Sequence, residues 1–155
     1  MKQHQAGRIW TVFRAVVLST ILYGAEAWTC QEQDYAKLNV CYNKMLRYMV
    51  GKKRDEISNK DLYKKVKMDP IENIVKMYRL RWAGHVRRME DTRLTKKAMF
   101  GKLINTRERI KTKWDTCFEK DLEHIGLSLD NWFKKAKERN QWKTLISSLT
   151  SVKKK

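Results

Sequence analysis

Proline and glycine are scarce in this chain of 155 residues, which holds one proline and six glycines. Runs that alternate apolar and polar side chains, as half-buried strands do, are also absent. Proline and glycine interrupt regular elements, so their scarcity together with the missing alternation indicates an almost entirely helical fold. We therefore predict an all-α domain, compact and built from about six or seven helices.

Cysteine is scarce too, since Cys30, Cys41 and Cys117 are an odd number and lie far apart in the sequence. Small secreted domains that depend on disulfides carry more cysteines, in even numbers. A nuclear or cytoplasmic, reducing environment therefore fits better. Zinc sites need clustered ligands, and the nearest approach here is Cys117 with His124. We expect neither a metal nor a cofactor.

Acidic residues are outnumbered two to one, because 17 Asp and Glu stand against 35 Lys and Arg and leave a formal charge of +18. Residues 1–50 hold six basic and three acidic side chains, whereas residues 51–155 hold 29 and 14. Such an excess repels itself unless a polyanion or dense counterions lie nearby. The imbalance predicts a nucleic-acid partner, contacted mainly by the part after residue 50.

Apolar spacing and capping residues predict where the helices lie. The first should be a buried helix over about 8–27, in which Gly24 lets a backbone or a large ring approach closely. The second should cover 31–49 behind a Thr29 cap and end at Gly51. A short helix capped by Ser58 should follow.

The dipeptide Asp69-Pro70 is a specific start signal for the next helix, with Asp as its cap. Between residues 71 and 89 one set of apolar side chains falls on a single arc of the helix, and the basic ones lie outside it. The arc comprises Ile71, Ile74, Val75, Tyr78, Trp82, Val86 and Met89, and the basic residues are Lys76, Arg79, Arg81, Arg87 and Arg88. His85 falls on the apolar side, so we expect it to be packed. Further helices are expected over about 92–100, over 111–124 and, singly or as a pair, after residue 128.

The segment 15–23 also permits another interpretation. Basic residues precede this apolar run and Ala25-Glu26-Ala27 follows it, as in a signal peptide with its cleavage site. The alternative function is then a secreted or membrane-attached basic helical protein. The run is too short to span a bilayer comfortably, and a helix buried in the domain explains the same pattern. We favour the buried helix.

Two motifs resemble the thumb and C-terminal region of the reverse transcriptases of LINE-type (non-LTR) retrotransposons. They are LYGAEAW at 22–28 and RLRWAGHVRRM at 79–89. The likeness extends from about residue 8 to residue 146. Three more segments match the family in the same order, a basic run at 107–114, an acidic-leucine pair at 121–122 and an aromatic segment at 140–142.

The basic run departs from the family pattern, because Glu108 and Ile110 replace the glycine and proline that keep it extended. An earlier helix start is one consequence. A decayed or diverged copy with no selected role is an interpretation that stays open.

The resemblance implies an RNA-directed DNA polymerase joined to an endonuclease, which copies an element's RNA at a nicked chromosomal site. Such a polymerase holds two metal ions on an aromatic-x-Asp-Asp turn, and no adjacent Asp-Asp pair occurs in this sequence. We recognise no endonuclease metal-binding set either. We therefore expect no catalysis from this chain and no small-molecule substrate.

What the resemblance leaves is a thumb-like role, in which the chain grips a template–primer duplex of RNA or DNA non-specifically by its phosphates. Within one domain, 8–50 would be a thumb-like helix pair, 51–150 a basic helical C-terminal part and 151–155 a frayed tail. The palm of a parent polymerase is a further candidate partner, and a membrane is not expected. The candidate phosphate contacts are Arg79, Arg81, Arg87, Arg88, Arg107, Arg109, Lys111 and Lys113.

Two tryptophans, Trp82 and Trp114, are candidates for stacking on bases, as aromatic residues do in single-strand binders. Helical spacing places both on core-facing sides of their helices, so we favour packing roles for them.

Overall fold

Helices are the regular secondary structure of the computed structural model, which describes residues 2–100 and 113–150 and the side chains from residue 7 onward. No strand occurs in those ranges, so the predicted all-α class is confirmed. In chain order the helices are α1 (Lys2–Val12), α2 (Ser19–Ile21), α3 (Glu32–Val50), α4 (Asn59–Val66), α5 (Ile71–Arg87), α6 (Leu94–Phe100), α7 (Lys113–His124), α8 (Leu129–Lys135) and α9 (Arg139–Ser147).

The first helical stretch ends earlier than predicted. α1 continues through a π-helical segment, Phe13–Leu18, into α2, and Ala25–Ala27 forms a separate 3₁₀ turn. Gly24 lies between them with φ +69°, a left-handed conformation that glycine adopts without strain. A Cβ added there would meet nothing within 4 Å. Gly24 therefore serves the turn and not the close approach that we expected.

We expected the first helical stretch to be buried, but only part of it is. Phe13, Leu18 and Leu22 are buried, whereas Val12, Val16 and Tyr23 are exposed. No helix within residues 2–100 and 113–150 is long and apolar enough to cross a membrane.

Local signals fix the next two helices. α3 begins after Gln31, whose backbone N–H donates to the Asp34 carboxylate at 2.9 Å, and not after a Thr29 cap. It ends at Gly51 with φ +63°, as predicted. α4 begins where Ser58 Oγ accepts the backbone N–H of Asp61 at 3.2 Å, which confirms the predicted cap.

α5 is the central helix, since it packs against the 3₁₀ turn and against α3, α6, α7 and α9. It starts after Pro70, one residue later than a cap at Asp69 would have placed it. Its core-facing side is almost wholly inaccessible to solvent. The apolar members of this side are Ile71, Ile74, Val75, Met77, Leu80, Ala83 and Val86.

α5 and α9 approach each other closely at Gly84. The indole Nε1 of Trp142 in α9 donates to the Leu80 carbonyl oxygen at 3.0 Å. A Cβ on Gly84 would lie 2.1 Å from that nitrogen. Because such a contact is impossible without displacing the ring, position 84 needs glycine at this helix crossing.

Candidate nucleic-acid interface

Arg79, the first arginine of the second motif, lies in the core and is 1% exposed. Its Nε donates to Oδ2 of Asp121 at 2.6 Å, and its Nη2 donates to the hydroxyl of Tyr35 at 2.9 Å. Its Nη1 donates to the backbone carbonyl oxygen of Trp28. All three guanidinium nitrogens are thus engaged inside the protein. The expectation that Arg79 contacts phosphate is therefore wrong, because this side chain is an internal tie.

Burial works against both charges of this ion pair. It raises the pKa of the Asp121 carboxyl, and the neighbouring Arg79 opposes that rise. For Arg79 burial acts to lower the pKa, but the Asp121 carboxylate and the Tyr35 hydroxyl outweigh it and the pKa rises. An arginine whose three nitrogens are all engaged stays protonated, and its charge favours the carboxylate form of Asp121.

The ion pair belongs to a longer line of contacts between α7 and the segment 26–30. The indole Nε1 of Trp114 donates to the Glu26 carbonyl oxygen at 2.8 Å. One turn further along α7, the thiol of Cys117 lies 3.7 Å from the Cys30 carbonyl oxygen. The α7 seam, as we call this line, comprises Glu26, Trp28 and Cys30 on one side and Trp114, Cys117 and Asp121 on the other.

Two of the predicted phosphate contacts face solvent. Arg81 is exposed on α5, and Lys113 is exposed as the first residue of α7. Both are placed to meet a ligand at the surface. The predicted contacts Arg107, Arg109 and Lys111 lie outside the described residues.

Arg87 and Arg88 are half-buried against the C-terminal end of α8. The Arg87 guanidinium carbon lies 3.6 Å from the ring centroid of Phe133, and its Nε donates to the Phe133 carbonyl oxygen at 3.3 Å. Arg88 Nη1 donates to the Ala136 carbonyl oxygen at 2.7 Å. Carbonyl groups at a helix C-terminus attract cations, and they hold these guanidinium groups in place.

The same end of α8 carries further cations that the sequence analysis did not select. Lys134, Lys135 and Lys137 are exposed there, and Arg139 is exposed at the start of α9. Burial and the nearby charge of Arg139 lower the pKa of Arg88, so these like charges are close enough to interact. We call the group the basic corner, and its members are Arg87, Arg88, Lys134, Lys135, Lys137 and Arg139.

A sequence signal for the basic corner exists in the run KKAKER at 134–139. It was missed because a charge run is most often a solvated face with no further role. Its position beside Arg87 and Arg88 depends on how α8 packs against the end of α5, a contact between residues more than forty positions apart.

The aromatic candidates pack against each other. Trp82 and Trp114 are half-buried in an edge-to-face pair with ring centroids 5.4 Å apart, and Trp114 stacks on Phe118 at 5.1 Å. This geometry agrees with a packing role. His85, however, is exposed, one helical turn beyond Arg81. Our expectation that His85 is packed is therefore wrong.

Metal-ligating side chains do not gather. Within the two described ranges, no group of three or more His, Cys, Asp or Glu side chains is placed to hold a metal ion. Cys117 lies in the α7 seam, while Nε2 of His124 lies 3.2 Å from Nζ of Lys76.

Comparison with known proteins finds similarity to one transposon-derived protein. This chain is 27% identical over 152 residues to an uncharacterised transposon-derived protein of Caenorhabditis elegans. The alignment covers 90% of this chain and 54% of the relative, so the chain spans about half the length of that protein. Neither a protein-family model nor a solved structure matches.

Proposed function

We propose that this chain is a non-catalytic, nucleic-acid-binding part of a LINE-type retrotransposon reverse transcriptase. In this role it grips the template–primer duplex by its phosphates. The similarity to a transposon-derived protein and the ordered motifs at 22–28 and 79–89 support this parentage. The observation that carries the binding role is the basic corner, where six cations lie at the ends of α5 and α8 and at the start of α9.

The basic corner offers two kinds of phosphate donor. A guanidinium presents paired N–H groups that match two phosphate oxygens, whereas a lysine ammonium acts as a mobile point charge. Arg87 and Arg88 each use one nitrogen on a carbonyl oxygen, and within the described part of the chain their other nitrogens have no protein acceptor. The guanidinium groups are thus oriented by the protein and still able to donate outward.

Internal ion pairs do not neutralise this surface. Between described residues the structure shows the pairs Lys52–Glu56, Arg79–Asp121 and Lys96–Asp91. None of the three includes a member of the basic corner. Three acidic residues, Glu90, Asp91 and Glu138, lie near the basic corner along the chain, and the pKa of Asp91 is lowered by Lys96 and also by Arg87. The six cations outnumber them two to one.

A salt titration tests the proposal. Binding of a fluorescently labelled RNA–DNA duplex, followed by anisotropy, should weaken steeply as salt rises, because phosphate contacts release counterions. The variant Lys134→Gln/Lys135→Gln should flatten the plot of log affinity against log salt by about two, roughly one for each lost contact. It should weaken binding to all duplex sequences alike, since phosphates carry no sequence information.

The control variant is Lys37→Gln/Lys44→Gln, which removes the same charge from two exposed lysines of α3. It should bind nearly as well as the unaltered chain. Equal losses in the two variants would show that net charge and not the basic corner governs affinity. Affinity that does not change with salt would rule out the phosphate grip.

A further inference from the structure

The α7 seam contains two of the three cysteines. Cys30 and Cys117 are half-buried free thiols, and the Cys117 sulfur lies 3.7 Å from the carbonyl oxygen of Cys30. Besides burial, Cys117 is among the groups that raise the pKa of Cys30, so the two side chains are close enough to interact. Cys41, by contrast, is exposed on α3.

The neighbourhood of Cys30 is open to small molecules. Cys30 lines a shallow, open pocket of about 380 Å³ together with Ala27, Trp28, Thr29 and Asp34. The chain from residue 28 to residue 31 has no regular secondary structure, and hydrogen bonds from α5 and α7 to the carbonyl oxygens of Trp28 and Cys30 hold it against those helices. A disulfide needs Cα atoms within roughly 4.4–6.8 Å, a range that two residues in side-chain-to-backbone contact can reach.

We propose that Cys30 and Cys117 form an oxidation-sensitive pair, which a peroxide converts into a disulfide that fixes α7 to the segment 26–30. The proposal rests on the α7 seam and is independent of nucleic-acid binding. The cross-link would lie beside the Arg79–Asp121 ion pair and would strengthen a contact that the fold already makes.

The chemistry balances with hydrogen peroxide as the oxidant. The Cys30 thiolate attacks one peroxide oxygen, the O–O bond breaks, an S–O bond forms and the other oxygen leaves as water. The Cys117 sulfur then attacks the sulfenic sulfur of Cys30, the S–S bond forms and a second water leaves. Two thiols lose two electrons in total, and one peroxide is reduced to two waters.

Burial raises the pKa of the Cys30 thiol above its usual value, with Arg79 opposing that rise. The thiol therefore stays protonated at neutral pH. Since the thiolate is the nucleophile, the cross-link should form slowly at neutral pH and faster as pH rises.

The test uses the full chain, treated with hydrogen peroxide under native conditions, alkylated, digested and analysed by mass spectrometry. A Cys30–Cys117 peptide should appear in the unaltered chain and in Cys41→Ser, but not in Cys117→Ser. Oxidation should raise the Tm of Cys41→Ser, because the disulfide closes a long loop in the unfolded chain, and a reductant should reverse the rise.

Peroxide treatment in urea supplies the control for folding. The oxidised chain should give mixed pairings with Cys41 there, because unfolding no longer holds Cys117 beside the segment that carries Cys30. The proposal is overturned if the native chain gives only Cys41-linked dimers or over-oxidised thiols. It is equally overturned if the Cys30–Cys117 link makes up the same share of all disulfides in urea as in native buffer.

Discussion

Arg79 and Arg88 lie in the same motif, at residues 79–89, yet their surroundings at the two ends of the C-terminal half of α5 are opposite. Arg79 is buried and tied to the Asp121 carboxylate, a tyrosine hydroxyl and a backbone carbonyl. Arg88 is half-buried, donates to one carbonyl oxygen and has like-charged Arg139 nearby.

The contrast separates two uses of arginine. Where a carboxylate and two further acceptors surround the guanidinium, the side chain becomes part of the core, and removing it would leave a buried charge unpaired. Where carbonyl oxygens hold only part of the group and other cations gather, the side chain remains able to meet an anion. The sequence of the motif alone does not show that Arg79 is a core residue and Arg88 a surface one.

The largest expected effect comes from breaking the buried ion pair. Arg79→Ala should lower the free energy of unfolding by about 3–5 kcal/mol, because Asp121 then stays buried without its partner. Arg81→Ala, on the exposed side of the same helix, should change it by no more than about 0.5 kcal/mol. Urea denaturation followed by circular dichroism measures both, and similar losses would contradict the contrast.

A double replacement sharpens the same comparison. Arg79→Met with Asp121→Leu removes both charges and keeps apolar volume, so it should recover most of the lost stability. If the double variant is as unstable as Arg79→Ala, the hydrogen bonds to Trp28 and Tyr35 and not the unpaired charge account for the loss.

The next effect in size concerns Gly84, where α5 crosses α9. Gly84→Ala should destabilise the fold by about 1–3 kcal/mol, because the new methyl group overlaps the Trp142 ring. Gly7→Ala is the matched control in α1, where an added Cβ meets nothing within 4 Å. It should stabilise by about 0.5–1 kcal/mol through helix propensity. If thermal unfolding showed that both variants change stability in the same direction, the steric explanation would be refuted.

At the basic corner, stability and binding should separate. Arg88→Ala loses one hydrogen bond to the Ala136 carbonyl oxygen and should cost only about 1 kcal/mol of stability. It should nevertheless weaken duplex binding at low salt and reduce the salt dependence by about one contact. Denaturation and anisotropy on the same preparation test this. A large loss of stability with unchanged binding would show that Arg88, like Arg79, stabilises the fold and does not contact the duplex.

The smallest effect under ordinary conditions is a pH dependence at the buried end. Burial raises the pKa of Tyr35 from about 10 to about 12, with the charge of Arg79 opposing the rise. The folded state therefore keeps a proton that the unfolded chain loses above pH 10, and stability should fall as pH rises from about 10 towards 12. Tyr35→Phe should flatten that fall. If stability falls just as much at alkaline pH in Tyr35→Phe, the fall comes from other groups, such as Tyr42, whose pKa burial also raises.

Much of the fold could be predicted from local residues. Ser58 caps a helix and Gly51 ends one, as predicted, because such signals act within a single turn and need no distant partner. The first helix was predicted too long because a glycine within an apolar run does not by itself reveal a positive φ. Gly24 has that conformation, and the helix stops before it.

The candidate site was harder to predict. Arg79 and Arg81 are two residues apart and look alike in sequence, yet Arg79 is buried and Arg81 is exposed. The acid that decides the role of Arg79 is 42 positions away. Helical spacing alone predicted that His85 faces the core, but the structure shows its side chain exposed on α5.

The sequence by itself determined the all-α class, most helix ends and the excess of positive charge, because these depend on composition and on neighbours within a few positions. Only the tertiary structure decided which cations are internal ties and which form a surface. That choice depends on whether packing brings a carboxylate or another cation beside each guanidinium, and such pairings join residues far apart in the chain.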